Sequence, residues 1–251
     1  VNPRILAATV GRVLRQLRHD RRTVALLVVV PALLLTLLYY MYGDQPATGG
    51  QPALFDRVAL IMLGVFPFVI MFLVTSIAML RERTSGTLER LLTTPLGRLD
   101  LLFGYGIAFG LAAAVQATVA SAVAYWLFDL STAGSPALVI AIAVLDALLG
   151  VALGLLCSAF ARTEFQAVQF MPVVVIPQLL LCGLFVARDE MAGWLEAVSN
   201  VLPLSYAVSA LTEVGAYPEP TTTLWRDLTV VAGAVVAALV LAAATLRRRS
   251  G

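Results

Sequence analysis

Apolar residues in this chain come in long unbroken runs rather than at amphipathic spacing. Val24–Tyr42, Val58–Leu80, Leu101–Phe128, Phe165–Ala187 and Leu228–Leu246 carry no charge, and Pro136–Ala161 is interrupted only by Asp146. A hydrocarbon core of ~30 Å is crossed by about 20 helical residues, so six transmembrane helices are predicted. A barrel would instead alternate polarity at every second residue. The first run exceeds the roughly 7–15 apolar residues of a signal peptide and leads into "YYMYGDQP" rather than a small-residue cleavage site, so it is expected to stay in the protein.

Shorter patterns flank these runs. Leu6, Val10, Val13, Leu14 and Leu17 share one face of a helix ahead of the first span, with Arg4, Arg12, Arg15 and Arg18 opposite and Ile5 out of pattern. Such a helix suits an anionic inner leaflet. Pro172, Pro177 and Gly183 fall within the fifth run, which is expected to be kinked or broken. The forty residues after it, Arg188 to Asp227, hold apolar pieces too short to span and divided at Asn200 to Pro203. Two re-entrant or interfacial helices are predicted there, with Trp194 and Tyr206 at the boundary.

Composition agrees, at 60% apolar, 13% charged and a mean hydropathy of +0.92, against about 25% charged in an ordinary soluble domain. No repeat or linker marks a second domain, so residues 1–251 read as one membrane domain. Net charge is +2 and every basic residue is an arginine; an arginine-only, Ala/Val/Leu-rich chain fits a GC-rich bacterial genome. Charge becomes informative once divided by side. Arg4, Arg12, Arg15, Arg18, Arg21, Arg22, Arg81, Arg83, Arg90, Arg98, Arg162, Arg247, Arg248 and Arg249 share one side, leaving Arg57, Arg188 and Arg226 on the other with nine acidic residues from Asp44 to Asp227. The positive-inside rule then puts both termini in the cytoplasm of a plasma (inner) membrane protein. Tyr39, Tyr40 and Tyr42, with Tyr125, Trp126 and Phe128, mark the outer interface.

Candidate chemistry is sparse. Asp146 is the sole carboxylate deep in a predicted span; it is either functional, or protonated or bonded to a neighbouring helix. Gln116, Gln169 and Gln178 either line a pathway or form interhelical hydrogen bonds. Gly106-x-x-x-Gly110 and Gly150-x-x-x-Gly154 permit close helix approach, within the chain or against a second subunit. Cys157 and Cys182 lie in spans, where packing rather than a disulfide is expected. The lone His19 sits on the cytoplasmic flank, which leaves an intramembrane protease no Ser–His dyad or HExxH zinc site, and a two-aspartate site lacks its second carboxylate.

Between the second and third runs lies "RERTSGTLERLLTTPLGRLD", Arg81 to Asp100. Ser85 and Gly86 suit a helix start, Glu89 favours the first-turn dipole, and Pro95 disfavours helix at Thr94. A short helix, Thr87 to Leu92, is predicted with an apolar edge of Leu88, Leu91 and Leu92. That edge could dock on a second protein or pack against the membrane.

This stretch resembles the intracellular signature of ABC-2 type transporter permeases, carried by Arg81, Glu82, Gly86, Thr87, Leu88, Glu89, Leu91, Leu92, Thr94 and Pro95. "RQLRHDRRTVALLVVVPALLL" is similar to the family's entry into its first span, and "PQLLLCGLFVARDEMAGWLEAVSNVLPLSYAVSAL" to its fifth-span exit and re-entrant segment. Cys182 stands where serine is frequent and Val186–Ala187 where a proline is. The resemblance implies an all-α fold with an N-terminal connecting helix, six spans, outer re-entrant helices and a coupling helix at Arg81–Pro95 seated in an ATP-binding cassette subunit. Two such subunits and a second permease, identical or related, would complete an exporter. Its cargo would be a small amphipathic or apolar solute, drug or lipid, since the spans are nearly free of charge; membrane lipid is a partner and nucleic acid is not.

A P-loop needs a lysine, and the chain has none. ATP and Mg are therefore expected in the partner subunit, with no cofactor or metal on this chain. A proton-coupled secondary transporter using Asp146 is the alternative, and an assembly or scaffold protein the blander one.

Overall fold

The computed structural model describes residues 3–43, 53–85 and 98–245. Every regular element among them is a helix: α1 (Pro3–His19), α2 (Arg21–Tyr42), α3 (Leu54–Thr84), α4 (Arg98–Leu127), α5 (Pro136–Cys157), α6 (Glu164–Leu181), α7 (Gly193–Ser199), α8 (Pro203–Ala216) and α9 (Thr222–Thr245), with a 3-10 turn at Arg188–Glu190. Six, namely α2, α3, α4 from Phe103, α5, α6 and α9, are long and apolar enough to cross a membrane.

Local chemistry sets the joints. Asp20 caps α2 by accepting the backbone N–H groups of Arg22 and Thr23 and the Thr23 hydroxyl at 2.7 Å. These bonds, the Thr23 hydroxyl first, hold its carboxyl below the usual range, and α1 turns into α2 at this one residue. Ser135 caps α5 ahead of Pro136, and Thr163 accepts from Gln166 N–H to start α6. The 31 residues of α3 extend about 46 Å at 1.5 Å per residue. That exceeds the hydrocarbon core and carries Arg81–Thr84 beyond it.

Several boundaries differ from those expected. The fifth span ends at Leu181, not Ala187, because Gly183 takes φ +96° and the Leu181 carbonyl accepts from the hydroxyls of Ser199 and Ser205 instead of continuing the helix. It runs through Pro172 and Pro177 without interruption. The fourth span stops at Cys157, not Ala161, where the Ser158 hydroxyl donates to Leu155 O. The last begins at Thr222 rather than Leu228, with Thr221 Oγ1 accepting from Leu224 N–H.

The core is the pairing of α3 with α5, to which α4, α8 and α9 add; α1 lies along α4. Glycines make the first pairing close. A Cβ on Gly150 would stand 2.3 Å from Phe68 O, and one on Gly154 2.6 Å from Phe72 O. Gly150-x-x-x-Gly154 therefore serves packing within the chain, and Gly110 meets Leu148 of α5, whereas Gly106 faces open space. At the end opposite the α1–α2 joint, Tyr39 stacks on Phe128 at 4.7 Å and meets Phe55 edge-on at 5.4 Å. Two of the aromatics expected at the outer interface, Tyr39 and Phe128, thus form with Phe55 a cluster that joins α2 and α3 to the residue following α4, while Tyr40 and Trp126 stay exposed. By contrast α2 and α6 leave long apolar faces exposed, including Leu33, Leu37, Phe165, Val173 and Ile176.

Candidate functional site

Two charged residues of the signature stretch, Arg81 and Glu82, sit in the last turn of α3 beside Arg83 and turn back onto their own chain. Glu82 is only 5% exposed. Its Oε1 accepts from Arg12 Nη1 at 3.0 Å, while Arg12 Nη2 donates to the Tyr105 hydroxyl at 2.6 Å. The guanidinium also lies 5.6 Å from the Tyr105 ring centroid. One arginine thus ties α1 to α3 and α4. Burial acts to lower its pKa, but Tyr105 and Glu82 outweigh that and hold it above the ordinary value. The helical wheel puts Arg12 on the polar face of α1 with Arg4, Arg15 and Arg18, yet its side chain reaches inward to Glu82 and Tyr105. Thr9 lies on the same buried face, and close packing there depends on Gly104, where a Cβ would meet Thr9 Cγ2 at 2.6 Å.

Arg81, one residue earlier, donates through Nε and Nη2 to the two oxygens of Glu164 at 2.7 and 3.1 Å. This exposed pair joins the end of α3 to the first turn of α6. Arg81 and Glu82 therefore form a fork: one prong reaches α6, the other α1 and α4. Immediately after them the chain enters 86–97, so Gly86, Thr87, Leu88, Glu89, Leu91, Leu92, Thr94 and Pro95, with the predicted helix Thr87 to Leu92, lie outside the described residues.

The four polar residues expected along a pathway sit on three helices, Gln116 on α4, Asp146 on α5, and Gln169 and Gln178 on α6. Gln178 is buried and structural: Nε2 donates to Val174 O at 3.0 Å and Oε1 accepts from Leu204 N at 3.4 Å, fastening α6 to the start of α8. Gln169 is exposed and borders an open cleft of about 400 Å³ with Phe160, Arg162, Gln166, Phe170 and Val173. Gln116 and Asp146 are buried on the packed helices α4 and α5, and neither finds a hydrogen-bond partner among the described residues. The Asp146 carboxylate faces Gly64, where a Cβ would lie 3.2 Å from Oδ2 and 2.7 Å from Leu211 Cδ1. It is therefore wedged between α3 and α8.

Other features gave little sequence signal. Asp227, expected in an outer connection, is fully buried near the start of α9, with Oδ1 accepting from Arg226 at 2.8 Å. Arg188 donates to Asn200 Oδ1 and lies 5.1 Å from the Tyr206 ring centroid, while the Tyr206 hydroxyl donates to Asn200 O. These contacts close the turn between α7 and α8. Cys157 and Cys182 are both free. Among the described residues no group of His, Cys, Asp and Glu could hold a metal ion.

Six spanning helices around an α3–α5 core define a multi-pass helical membrane protein. More particularly, the chain belongs to the ABC-2 type transporter family, whose model matches residues 4–214. It is 30% identical over 156 residues to the probable multidrug ABC transporter permease YbhR of Escherichia coli, covering 62% of this chain and 42% of that one. It is 30% identical over 135 residues to the linearmycin resistance permease protein LnrN of Bacillus subtilis, with 54% and 35% covered. Over 171 residues it is 28% identical to ABC transporter G family member 20 of Dictyostelium discoideum, with 67% and 23% covered. The matched region is less than half the length of each of these relatives.

Proposed function

We propose that the chain is the membrane subunit of an ABC exporter that moves an amphipathic or apolar solute, drug or lipid, out of the cytoplasm or inner leaflet. A separate ATP-binding subunit, in two copies, would supply ATP and Mg, and a second permease would complete the pathway. The observation that carries this reading is the fork at Arg81 and Glu82. Directly ahead of 86–97, it gives any force applied to that segment two charged links into the bundle, through Glu164 to α6 and through Arg12 and Tyr105 to α1 and α4.

Nucleotide can drive transport only if the closed ATPase pair prefers one permease conformation. A segment that is both the docking element and the neighbour of these links meets that need. Both termini and 86–97 would face the cytoplasm, and α7 and α8 would enter the bilayer from outside. Open apolar faces on α2 and α6 suit lipid or a second permease.

The test is purification of the tagged chain from its native membrane in mild detergent, followed by mass spectrometry of co-purifying proteins. A stoichiometric ATP-binding subunit is expected, and Glu89→Arg should abolish its retention and lower transport-coupled ATPase while leaving membrane insertion intact. Normal transport by Glu89→Arg would sink the coupling role. One observation favours a second reading, a proton carrier at Asp146, which is fully buried with neither oxygen partnered among the described residues. That reading predicts transport without any ATPase.

A further inference from the structure

The two ends of α6 are held very differently. At the end nearer α7 and α8 the bonds are buried: Gln178 Oε1 accepts from Leu204 N–H, and the Leu181 carbonyl accepts from the hydroxyls of Ser199 and Ser205 at 2.7 and 3.3 Å. Val175 and Cys182 there belong to the main core. At the arginine-rich end Ala167 joins a small separate cluster with Ala161 and with Leu80 of α3, flanked by Ile77 and Phe170. The charged tie at that end is the pair between Arg81 and Glu164, whose side chains stay 59% and 53% exposed. Water and salt screen such a pair, so little free energy holds it closed.

Between these ends the helix is continuous in path but not in hydrogen bonding. Pro172 has no N–H for Val168 O and Pro177 has none for Val173 O, and Val168 and Val173 are both exposed. Helices bend at such positions. The first turn of α6, by contrast, is closed on itself: Thr163 Oγ1 accepts from Gln166 N–H, and Gln166 Oε1 accepts from Arg162 N–H at 2.8 Å. Residues 162–171 therefore keep their own cap if they move as a unit. A self-capped segment, a stretch with two backbone bonds missing and a firmly bonded far end are the parts of a hinged arm.

We propose that residues 162–171 of this helix are a gate that swings away from α3 about Pro172, and that the Arg81–Glu164 pair is the latch holding it shut. Glu164 is then a positioning residue, because it fixes where the arm rests. Swinging uncovers the seam between α3 and α6 at Ile77, Leu80 and Ala167. Arg81 lies five residues ahead of 86–97, so a pull on that segment acts on the latch directly. Only the source of that pull rests on the proposed function; the arm and its latch are properties of this chain alone.

The experiment is the rate of maleimide labelling of the purified full chain carrying Ala167→Cys and Cys157→Ala. Ala167 is fully buried, so its labelling reports opening, and the native Cys182, buried at the bonded end, is the internal reference. Peptide mass spectrometry reads the two thiols separately, and Leu80→Cys on the α3 side of the seam is a second reporter. Arg81→Gln and Glu164→Gln are each expected to speed labelling at Ala167→Cys about two- to fivefold, the scale of one exposed ion pair, with Cys182 unchanged. Raising NaCl to ~1 M should act in the same direction. The swapped pair, Arg81→Glu with Glu164→Arg, should bring the rate back, a recovery that lost packing would not give. Pro172→Ala returns an N–H to Val168 O and should slow labelling below the parent rate. Unchanged labelling when the pair is broken, an equal rise at Cys182, no recovery in the swapped pair, or no slowing in Pro172→Ala overturns the proposal. Loss of ATPase co-purification would bear on the export reading alone.

Discussion

Arg12 illustrates how much one side chain can organise in this bundle. Its partner Glu82 is nearly buried, and the Tyr105 hydroxyl depends on it as well. Removing Arg12 would strip a buried carboxylate of its cationic partner, a change that costs about 1–3 kcal/mol. Arg12→Ala should therefore lower the melting temperature in detergent, and Glu82→Gln in the same background should recover part of the loss, because the stranded charge is gone. A double-mutant cycle measures that coupling; additive effects would show that the pair contributes nothing as a pair. The exposed Arg81–Glu164 pair is a different case, since solvent screens it and its expected contribution to stability is small. Arg81→Gln should leave melting nearly unchanged, so any effect it has on transport reports on coupling. Sequence alone marks Arg81 and Glu82 as charged positions between spans. It does not reveal their partners, which lie 83 and 70 residues away, because no local periodicity relates α1 to α3 or α3 to α6. Asp146 was visible as an oddity, yet its enclosure by Gly64 and Leu211 depends on α8, a helix whose packing position no pattern specifies.

At the scale of helices, glycine placement decides how close the pairs come. Gly150 faces the Phe68 carbonyl so closely that a methyl group there must push α3 and α5 apart. Such overpacking typically costs about 1–3 kcal/mol. Gly106 lies on the same kind of spacing motif but meets nothing within 4 Å. Gly150→Ala should melt at lower temperature, and Gly106→Ala should be neutral or slightly stabilising, as alanine is the better helix former by about 1 kcal/mol. Equal destabilisation by both would place a second subunit against Gly106. The two motifs are indistinguishable in sequence, since spacing records that a close approach is possible and not which neighbour makes it. Span number was legible for the opposite reason: bilayer thickness fixes helix length, and long uncharged runs register it directly. The early end of α6 was not, because it depends on Ser199 and Ser205 drawing away the Leu181 carbonyl from a later part of the chain.

For the molecule as a whole, orientation is the property on which most of the functional reading depends. Ion pairing at one end engages Arg12, Arg81, Glu82 and Glu164, while the other end is held by aromatic stacking, by Asp56 accepting from Ser131 N–H and by the Arg226–Asp227 pair. The arginine bias predicts that the first end faces the cytoplasm. Ser131→Cys and Arg162→Cys, each in a background with Cys157 and Cys182 replaced by alanine, place single thiols on exposed residues of the connections at opposite ends of α5. An impermeant maleimide added to intact cells should label Ser131→Cys and spare Arg162→Cys until the membrane is opened. The reverse pattern would turn 86–97 away from any cytoplasmic ATPase. Because the helix order fixes the sides of α1, 86–97 and the α5–α6 connection together, one labelling pair tests the orientation on which the coupling geometry depends.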